Sequence, residues 1–317
     1  TQVFELVESL HAADIADIIY QLASGSREKF VKTIEPIFDA DILRDVRDSV
    51  RKDVVEALSI ETIARSIAEL ESDDAVSIME DLDDDQKEEI LRAMPKSERA
   101  LVEKSLSYPE GSAGRLMQRE MVCVPPFWTV GEATDFIRDT KGLPDVFYDI
   151  FVVDPRHVPL GQISLNQLLR QPLTVPVSEI MDDELHTIPV RADQGEAARS
   201  FDHYGLISAP VVNDAGRIVG MITVDDVVDV IEQEAEEDIL HMAKVSAESD
   251  FYAPVTTTAY WRIRWLIVTL VNTLVATYVI SLFESSIQKI TALSFLMTMN
   301  AAMGGNSGMQ VVTVVVR

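Results

Sequence analysis

The sequence predicts a multidomain protein with an all-α superhelical N-terminal domain, an α/β tandem domain and an α-helical transmembrane region. Three observations predict this fold class: a repeated helical pattern in the first third, an internal duplication in the middle and long uncharged apolar stretches near the end. A chain of 317 residues is also too long for one compact core, so several domains are expected.

Residues 1–108 are rich in helix formers and contain a loose repeat. The run from Asp14 to Ile19 resembles the run from Asp74 to Met79, and each is an acidic start followed by apolar residues at i, i+3, i+4 and i+8. This spacing is typical of amphipathic helices with an acidic first turn. We expect helical hairpins stacked into a superhelix, with an ordinary helical bundle as the alternative.

Residues 109–230 contain a clearer duplication, with copies at about 109–172 and 173–230. Leu116-Met117 matches Ile180-Met181, and Leu160-Gly161 matches Val219-Gly220. Each copy predicts a short strand, a helix, a β-branched strand, a turn, a strand and a closing helix. The duplicated segment resembles a pair of CBS domains.

Residues 259–317 are predicted to form two transmembrane helices. The run 265–283 carries no charge and is long enough to cross the hydrocarbon core of a bilayer, and a second apolar stretch covers 290–316. Arg262 and Arg264 precede the first stretch and Arg317 follows the second, so the positive-inside rule places both flanks in the cytosol.

The second apolar stretch is interrupted by the sequence GGNSG at 304–308. Backbone groups freed from a helix at membrane depth are tolerated only against protein or a water-filled cavity. We therefore predict a pore lining, with close helix packing through small residues as the alternative. The predicted pore residues are Gly304, Gly305, Asn306, Gly308 and Gln310.

The net charge of −26 argues against nucleic-acid binding and indicates cations as partners. The single cysteine, Cys123, fits a reducing compartment, and the start of the chain lacks the pattern of a secretory signal. Catalytic motifs such as HExxH, CxxC or a phosphate-binding loop are absent from the sequence, so we do not expect an enzyme. The histidines are scattered along the chain, at His11, His157, His186, His203 and His241.

An acidic segment leads from the duplicated region toward the apolar stretches and is predicted to continue as a connecting helix over 231–258. If the segment from Thr223 to Ile239 is one helix, its acids at i, i+3 and i+4 spacings share a face. The next basic residue is Lys244. A solvated helix face is the alternative, but oxygen ligands without His or Cys suit a hard cation such as Mg²⁺.

Several of these segments together resemble the MgtE family of magnesium channels. They are the helical repeat, SYPEGSAGRLM, ITVDDVVDVIEQEAEEDI, RIRWLIV and MGGNSGMQVVTVVVR. The resemblance implies a homodimer in the bacterial inner membrane that imports Mg²⁺, with a large cytosolic N-terminal part and five membrane helices per subunit. It also implies that intracellular Mg²⁺ bridges the helical domain, the CBS pair and a plug helix, and so holds the pore shut.

The resemblance supplies candidate metal ligands at the matching positions. They are Asp41, Asp73, Asp193, Asp226, Asp229, Glu234, Glu237 and Asp238. The chain departs from the family at Ser77, Gly195 and Gly205, where related sequences can offer carboxylates, so we expect fewer ions or weaker binding. The fifth membrane helix of the family, with its pore aspartate, is also absent from the sequence.

Two rival functions belong to other classes. CBS pairs often bind adenosine nucleotides between their copies, so ATP is a second candidate ligand, and the chain could be a nucleotide sensor. That sensor could regulate a membrane transporter of another divalent cation such as Co²⁺, although the GGNSG segment argues against this reading.

Overall fold

A computed structural model describes residues 7, 9–144, 146–243, 255–289 and 292–315 of the chain. The chain divides into two compact units, Thr1–Glu232 and Gln233–Arg317. The first unit contains the helical domain and the duplicated α/β domain, and the second contains the helices near the end of the chain. Arg317, which was predicted to mark a cytosolic flank, lies outside the described residues.

The first unit begins with a succession of short helices. They are α1 (Ala12–Gln21), α2 (Ser24–Ile34), α3 (Ala40–Asp45), α4 (Asp48–Ala57), α5 (Ile60–Glu69), α6 (Ser72–Glu80), α7 (Asp84–Ala93) and α8 (Lys96–Leu106). A short 3-10 turn, Glu35–Ile37, follows α2. The all-α prediction for this domain is confirmed.

Local capping determines where several of these helices begin. Asp39 accepts a hydrogen bond from the amide of Ile42 at 2.9 Å, and Asp83 forms a capping box with Gln86. These side chains satisfy amides that have no partner inside the helix. The helices then pack in steps of two along the chain, α1 on α3, α2 on α4, α5 on α7 and α6 on α8, which is the order of a stacked helical array.

Two buried arginines join successive layers of this array. Arg27, only 1% exposed, donates to the carbonyls of Ile19 at 3.1 Å and Leu22 at 3.0 Å and pairs with Asp53 at 2.5 Å. Arg51 in α4 repeats the arrangement, because it donates to the carbonyl of Val46 and pairs with Asp81. Each guanidinium therefore satisfies carbonyl oxygens at the end of one helix and binds a carboxylate on a later helix.

The duplicated domain follows with alternating helices and strands. Its elements are α9 (Ala113–Leu116), β1 (Cys123–Val124), α10 (Val130–Asp139), β2 (Asp149–Val153), β3 (Pro159–Ser164), α11 (Leu165–Arg170), α12 (Val177–Ile180), β4 (Ile188–Pro189), α13 (Gln194–Tyr204), β5 (Ser208–Val212), β6 (Ile218–Thr223) and α14 (Val224–Ala243). This order confirms the predicted α/β tandem.

The two copies form equivalent three-stranded sheets, β1-β2-β3 and β4-β5-β6. In each sheet the first pair of strands is parallel and the second is antiparallel, with Ile150 opposite Ile163 and Ala209 opposite Ile222. A small apolar cluster that includes Phe151 joins β2 to β6. The two sheets therefore share a buried contact across the duplication.

Each copy also reaches into the other through its lead-in segment. A side chain on Gly220 would place its Cβ 2.6 Å from the carbonyl oxygen of Gln118, and one on Gly161 would lie 2.5 Å from the carbonyl oxygen of Asp182. Met117 and Met181 pack at the same two glycines. The matched Met and Gly positions are thus explained by close approach of the backbone between copies.

The second unit contains α15 (Val255–Ser281), α16 (Glu284–Lys289) and α17 (Ala292–Val315). Over the described residues, the chain has no helix that is both long enough and apolar enough to span a membrane. The two spans at 265–283 and 290–316 stay predictions. Residues 304–308 lie inside α17, and their assignment to a pore lining stays a prediction.

We predict that Arg27→Met lowers the free energy of unfolding by about 2–4 kcal/mol, because it leaves buried carbonyls and one carboxylate without their donor. Lys32→Met is the matched control on α2, since Lys32 forms only an exposed pair with Glu28 and should cost less than about 1 kcal/mol. Urea unfolding followed by circular dichroism measures both changes. Equal losses of stability in the two variants would contradict the structural role of Arg27.

Candidate divalent-cation site between α6 and α14

The first turn of α6 presents two acidic residues at the contact between the helical domain and the tandem domain. Asp73 is buried, with 8% of its surface exposed, and its Oδ1 lacks a hydrogen-bond partner among the described residues. Asp74 is half-buried beside it. A buried carboxylate oxygen without a donor is costly, so this site calls for a proton or a cation.

The first turn of α14 supplies the opposing acid. Asp226 accepts hydrogen bonds from the amide and the hydroxyl of Thr223, at 3.1 Å and 2.6 Å, as the third helical residue of a capping box does. Asp226 therefore has a structural role at the start of α14. The predicted single helix over this acidic segment is observed, since α14 covers Val224–Ala243.

Asp73 and Asp226 meet directly. The two carboxyl groups lie close enough to interact, and a hydrogen bond between them favours the protonated form of Asp73 and the ionised form of Asp226. Burial, followed by the charges of Asp226 and Asp74, raises the pKa of Asp73 well above its ordinary value. Burial also raises the pKa of Asp226, against the hydrogen bonds from Asp73 and Thr223.

Further acids surround this pair, and we call the whole set the acidic patch. Burial raises the pKa of Asp74 to about 7, although the nearby Arg44 opposes the rise. Burial and the charge of Glu120 raise the pKa of Glu71, and burial and the charge of Asp226 raise that of Asp229. The acidic patch consists of Glu71, Asp73, Asp74, Asp225, Asp226 and Asp229. The pKa values of Glu71, Asp73, Asp74, Asp226 and Asp229 are raised mainly because burial disfavours their charged forms.

The other predicted ligands have different surroundings. Asp41 is exposed and pairs with Arg44 at 3.1 Å. Asp193 precedes α13 and accepts from the amide of Gly195 at 3.0 Å, so it caps that helix. Glu234 belongs to the second unit, and the side chains of Glu237 and Asp238 lie outside the described residues.

Among the described side chains, no group of three or more His, Cys, Asp or Glu residues is arranged to hold a metal ion by itself. The structure does bring the predicted Asp73 and Asp226 together, and it adds Glu71, Asp74 and Asp225, which sequence reasoning missed. The signal for these three was closeness in the sequence, since Asp74 and Asp225 lie next to a predicted acid and Glu71 lies two positions before Asp73. The glycine at 205 is explained by α13, which ends there with a left-handed φ of 63°.

A small pocket of about 60 Å³ lies beside the acidic patch in the first unit. Its wall combines aromatic, polar and acidic side chains: Glu71, Gln118, Val146, Phe147, Tyr148, Ser208, Met221, Thr223 and Asp225. Ser208 donates from its hydroxyl to the buried Asp149 at 2.7 Å. Aromatic faces and convergent polar groups of this kind are the groups that contact small organic ligands in proteins.

Comparison with known proteins assigns the two parts of the first unit. Residues 10–111 match the MgtE intracellular N domain, and residues 113–173 and 177–233 each match the CBS domain. The magnesium transporter MgtE of Thermus thermophilus is 36% identical over 221 residues, which cover 69% of this chain and 49% of that protein. The chain belongs to the MgtE family.

Two other relatives extend the comparison. The magnesium transporter MgtE of Bacillus subtilis is 27% identical over 312 residues, covering 98% of this chain and 69% of that protein. The crystal structure of the cytosolic domain of the Mg²⁺ channel MgtE in complex with ATP matches with a TM-score of 0.65 and 28% identity, over 71% of this chain and 92% of that one. The chain spans about half the length of the Thermus thermophilus relative.

We predict that Asp149 makes stability depend on pH. Burial raises its pKa against the hydrogen bond from Ser208, so the folded state holds the proton more tightly than the unfolded chain. This contribution is complete below the unfolded pKa of about 3.9 and is lost as pH rises through the folded pKa. Asp149→Asn cannot titrate, so its melting temperature relative to the native chain should rise with pH.

Thermal unfolding in chelator, at several values from about pH 4 to about pH 8, measures this difference. Asp135→Asn is the control, because Asp135 is exposed and pairs only at the surface with Arg138. A difference between Asp149→Asn and the native chain that stays constant with pH would show that the Asp149 proton is not linked to folding.

Proposed function

We propose that this MgtE-family chain is the Mg²⁺-sensing part and the first membrane helices of a channel that imports Mg²⁺ and is shut by intracellular Mg²⁺. The observation that carries the proposal is Asp73 of the N domain, which is buried beside Asp226 of α14 with one carboxylate oxygen that lacks a hydrogen-bond partner among the described residues. The names of the relatives from Thermus thermophilus and Bacillus subtilis, both magnesium transporters, support the choice of ion.

The chemistry of the acidic patch supports a hard divalent cation. Its potential ligands are carboxylate oxygens, and Mg²⁺ binds proteins through one or two carboxylates while it keeps several waters. An ion there would neutralise the repulsion among these carboxylates. We therefore assign the regulatory ion to Asp73 and Asp226, with Asp74 and Asp229 as the next ligands, and give Asp41 and Asp193 secondary roles.

The energies required explain why several acids take part. Two carboxylates about 4 Å apart repel by about 4 kcal/mol at the effective dielectric of a protein surface. Closing a gate from mostly open to mostly shut requires about 5.5 kcal/mol of differential binding. One weakly held ion supplies less than this, so we infer that several ions shared across the acidic patch take part.

The remaining helices complete the proposal. We assign α15 and α17 to the bacterial inner membrane, with the first unit in the cytosol, and we assign the pore lining to Gly304, Gly305, Asn306, Gly308 and Gln310. On this reading the protein is a homodimer with the pore between its subunits. Because 304–308 are helical, the small residues would let the helix backbones approach closely around the ion path.

We predict that Asp73→Asn in the full-length protein flattens the dependence of channel activity on internal Mg²⁺. The amide binds the ion more weakly and also repels Asp226 less, so activity at low and at high Mg²⁺ should become more alike. Asp85→Asn is the matched control, since Asp85 occupies the same position in the first turn of α7 and is exposed. Patch-clamp recording measures the curves, and a curve for Asp73→Asn that superimposes on the native curve would rule out this sensor.

A second function is favoured by the cavity beside the acidic patch. Its aromatic and polar wall suits a nucleotide, and the related cytosolic domain of the Mg²⁺ channel MgtE was crystallised in complex with ATP. Glu71 and Asp225 would repel a bare polyphosphate. The ligand would then be ATP accompanied by Mg²⁺, so that nucleotide and ion act together.

We predict that ATP binds the chain in the presence of Mg²⁺ and that Tyr148→Ala weakens binding by about 1–3 kcal/mol, the value of stacking a base on an aromatic ring. Tyr148 lines the cavity and is 52% exposed, while the control residue Tyr204 is 53% exposed and does not line it. Isothermal titration calorimetry measures both variants. Absence of binding at millimolar ATP, or equal losses of ATP affinity in Tyr148→Ala and Tyr204→Ala, would contradict nucleotide binding in this cavity.

A further inference from the structure

The pocket beside the acidic patch has a buried floor and an exposed mouth. The floor consists of Gln118, Ser208, Met221 and Thr223, all of which are buried. The ring of Tyr148 lies at the mouth, where the residue is half exposed. Every residue of the floor lies in a segment that matches the CBS domain. The floor therefore belongs to the tandem domain alone and does not depend on the position of the helical domain.

Two hydroxyl groups stand side by side in this floor. Ser208 and Thr223 lie opposite each other in the antiparallel pair of β5 and β6, and both line the pocket. Opposite residues in such a pair place their Cβ atoms about 4.5–5.5 Å apart on the same face of the sheet. A ligand that reaches the floor therefore meets both hydroxyl groups together.

The protons of both hydroxyl groups are already used inside the protein. Ser208 donates to the carboxylate of the buried Asp149 at 2.7 Å, and Thr223 donates to that of Asp226 at 2.6 Å. A hydroxyl group has one proton to donate and two lone pairs that accept. The two groups can therefore offer a ligand only acceptors, and the ligand must bring the donors.

This requirement separates two classes of purine. The 6-amino group of adenine carries two N–H donors, which is one for each hydroxyl oxygen, whereas a 6-oxopurine carries an acceptor at that position. With a 6-oxopurine the buried acceptors of the floor would meet another acceptor and stay unpaired, which is costly. Because the pocket measures only about 60 Å³, it accepts the edge of a base, and the rest of the nucleotide would lie toward Tyr148 at the mouth.

We propose that Ser208 and Thr223 make this pocket specific for 6-aminopurine nucleotides, and that Asp149 is the positioning residue that keeps Ser208 an acceptor. The inference rests on the nucleotide binding proposed above and adds which base the site takes and which residues select it. Asp149 begins β2 in the first CBS copy and does not line the pocket, whereas Ser208 begins β5 in the second copy. A residue outside the wall thus sets the polarity of a group in the wall.

Isothermal titration calorimetry of the full chain with ATP and with inosine triphosphate, each in the presence of Mg²⁺, tests the inference. The native chain should bind ATP about tenfold more tightly than inosine triphosphate, or better. Ser208→Ala should reduce this preference to about threefold or less, because one acceptor for the amine is removed. Ser200→Ala is the matched control and should keep the preference, since Ser200 donates to the carbonyl of Glu196 at 3.0 Å and does not line the pocket.

Asp149→Asn is a second variant that leaves the pocket wall intact, so the test does not depend on whether Ser208→Ala folds. The asparagine amide can donate to Ser208 and free the serine proton for the pocket, so the preference for ATP should again fall. Equal affinities for the two nucleotides in the native chain, or a native preference retained in either variant, would refute the inference while the nucleotide site stands. Absence of binding by both nucleotides would refute the nucleotide site and this inference together.

Discussion

The contact of buried carboxyl groups between α6 and α14 is the constraint on which the rest of the structure depends. Asp73 and Asp226 come from different domains, yet their carboxyl groups lie side by side in a place where burial raises the pKa of both. Carboxylates in this position repel unless a proton or a cation lies among them. The relative placement of the two domains is therefore tied to the charge state of the acidic patch, which is the property that an ion sensor requires.

The tandem domain makes this contact possible because it is rigid. Its copies exchange lead-in segments at Gly161 and Gly220, so neither copy can move without disturbing the other. The start of α14 and the residues that contact the ends of α6 both belong to the tandem domain. The helical domain, whose layers are joined by Arg27 and Arg51, is a second rigid body that contacts the tandem domain. A small change in charge between two rigid domains displaces them as whole bodies, whereas the same change within a loop displaces only the loop.

The sequence predicted the fold class of the first unit because helical periodicity and an internal duplication are local patterns. It also placed Asp73 and Asp226 among the candidate ligands through a family resemblance, although their role as ligands stays a prediction. Glu120 could not be predicted, because its importance depends on a contact with Ser72 across 48 positions of the sequence. Residues 304–308 are helical although they include several glycines, because each glycine lowers helix propensity by only about 1 kcal/mol, which a long helix tolerates.

The location of the bound ion tests the account most directly. Mn²⁺ favours the same oxygen ligands as Mg²⁺, and crystals grown with Mn²⁺ would reveal it by anomalous scattering. The account predicts an anomalous peak between α6 and α14, within coordination distance of the carboxylates of Asp73 or Asp226, and loss of that peak when excess Mg²⁺ is added. Peaks elsewhere in the protein, with none between these two helices at saturating Mn²⁺, would contradict it.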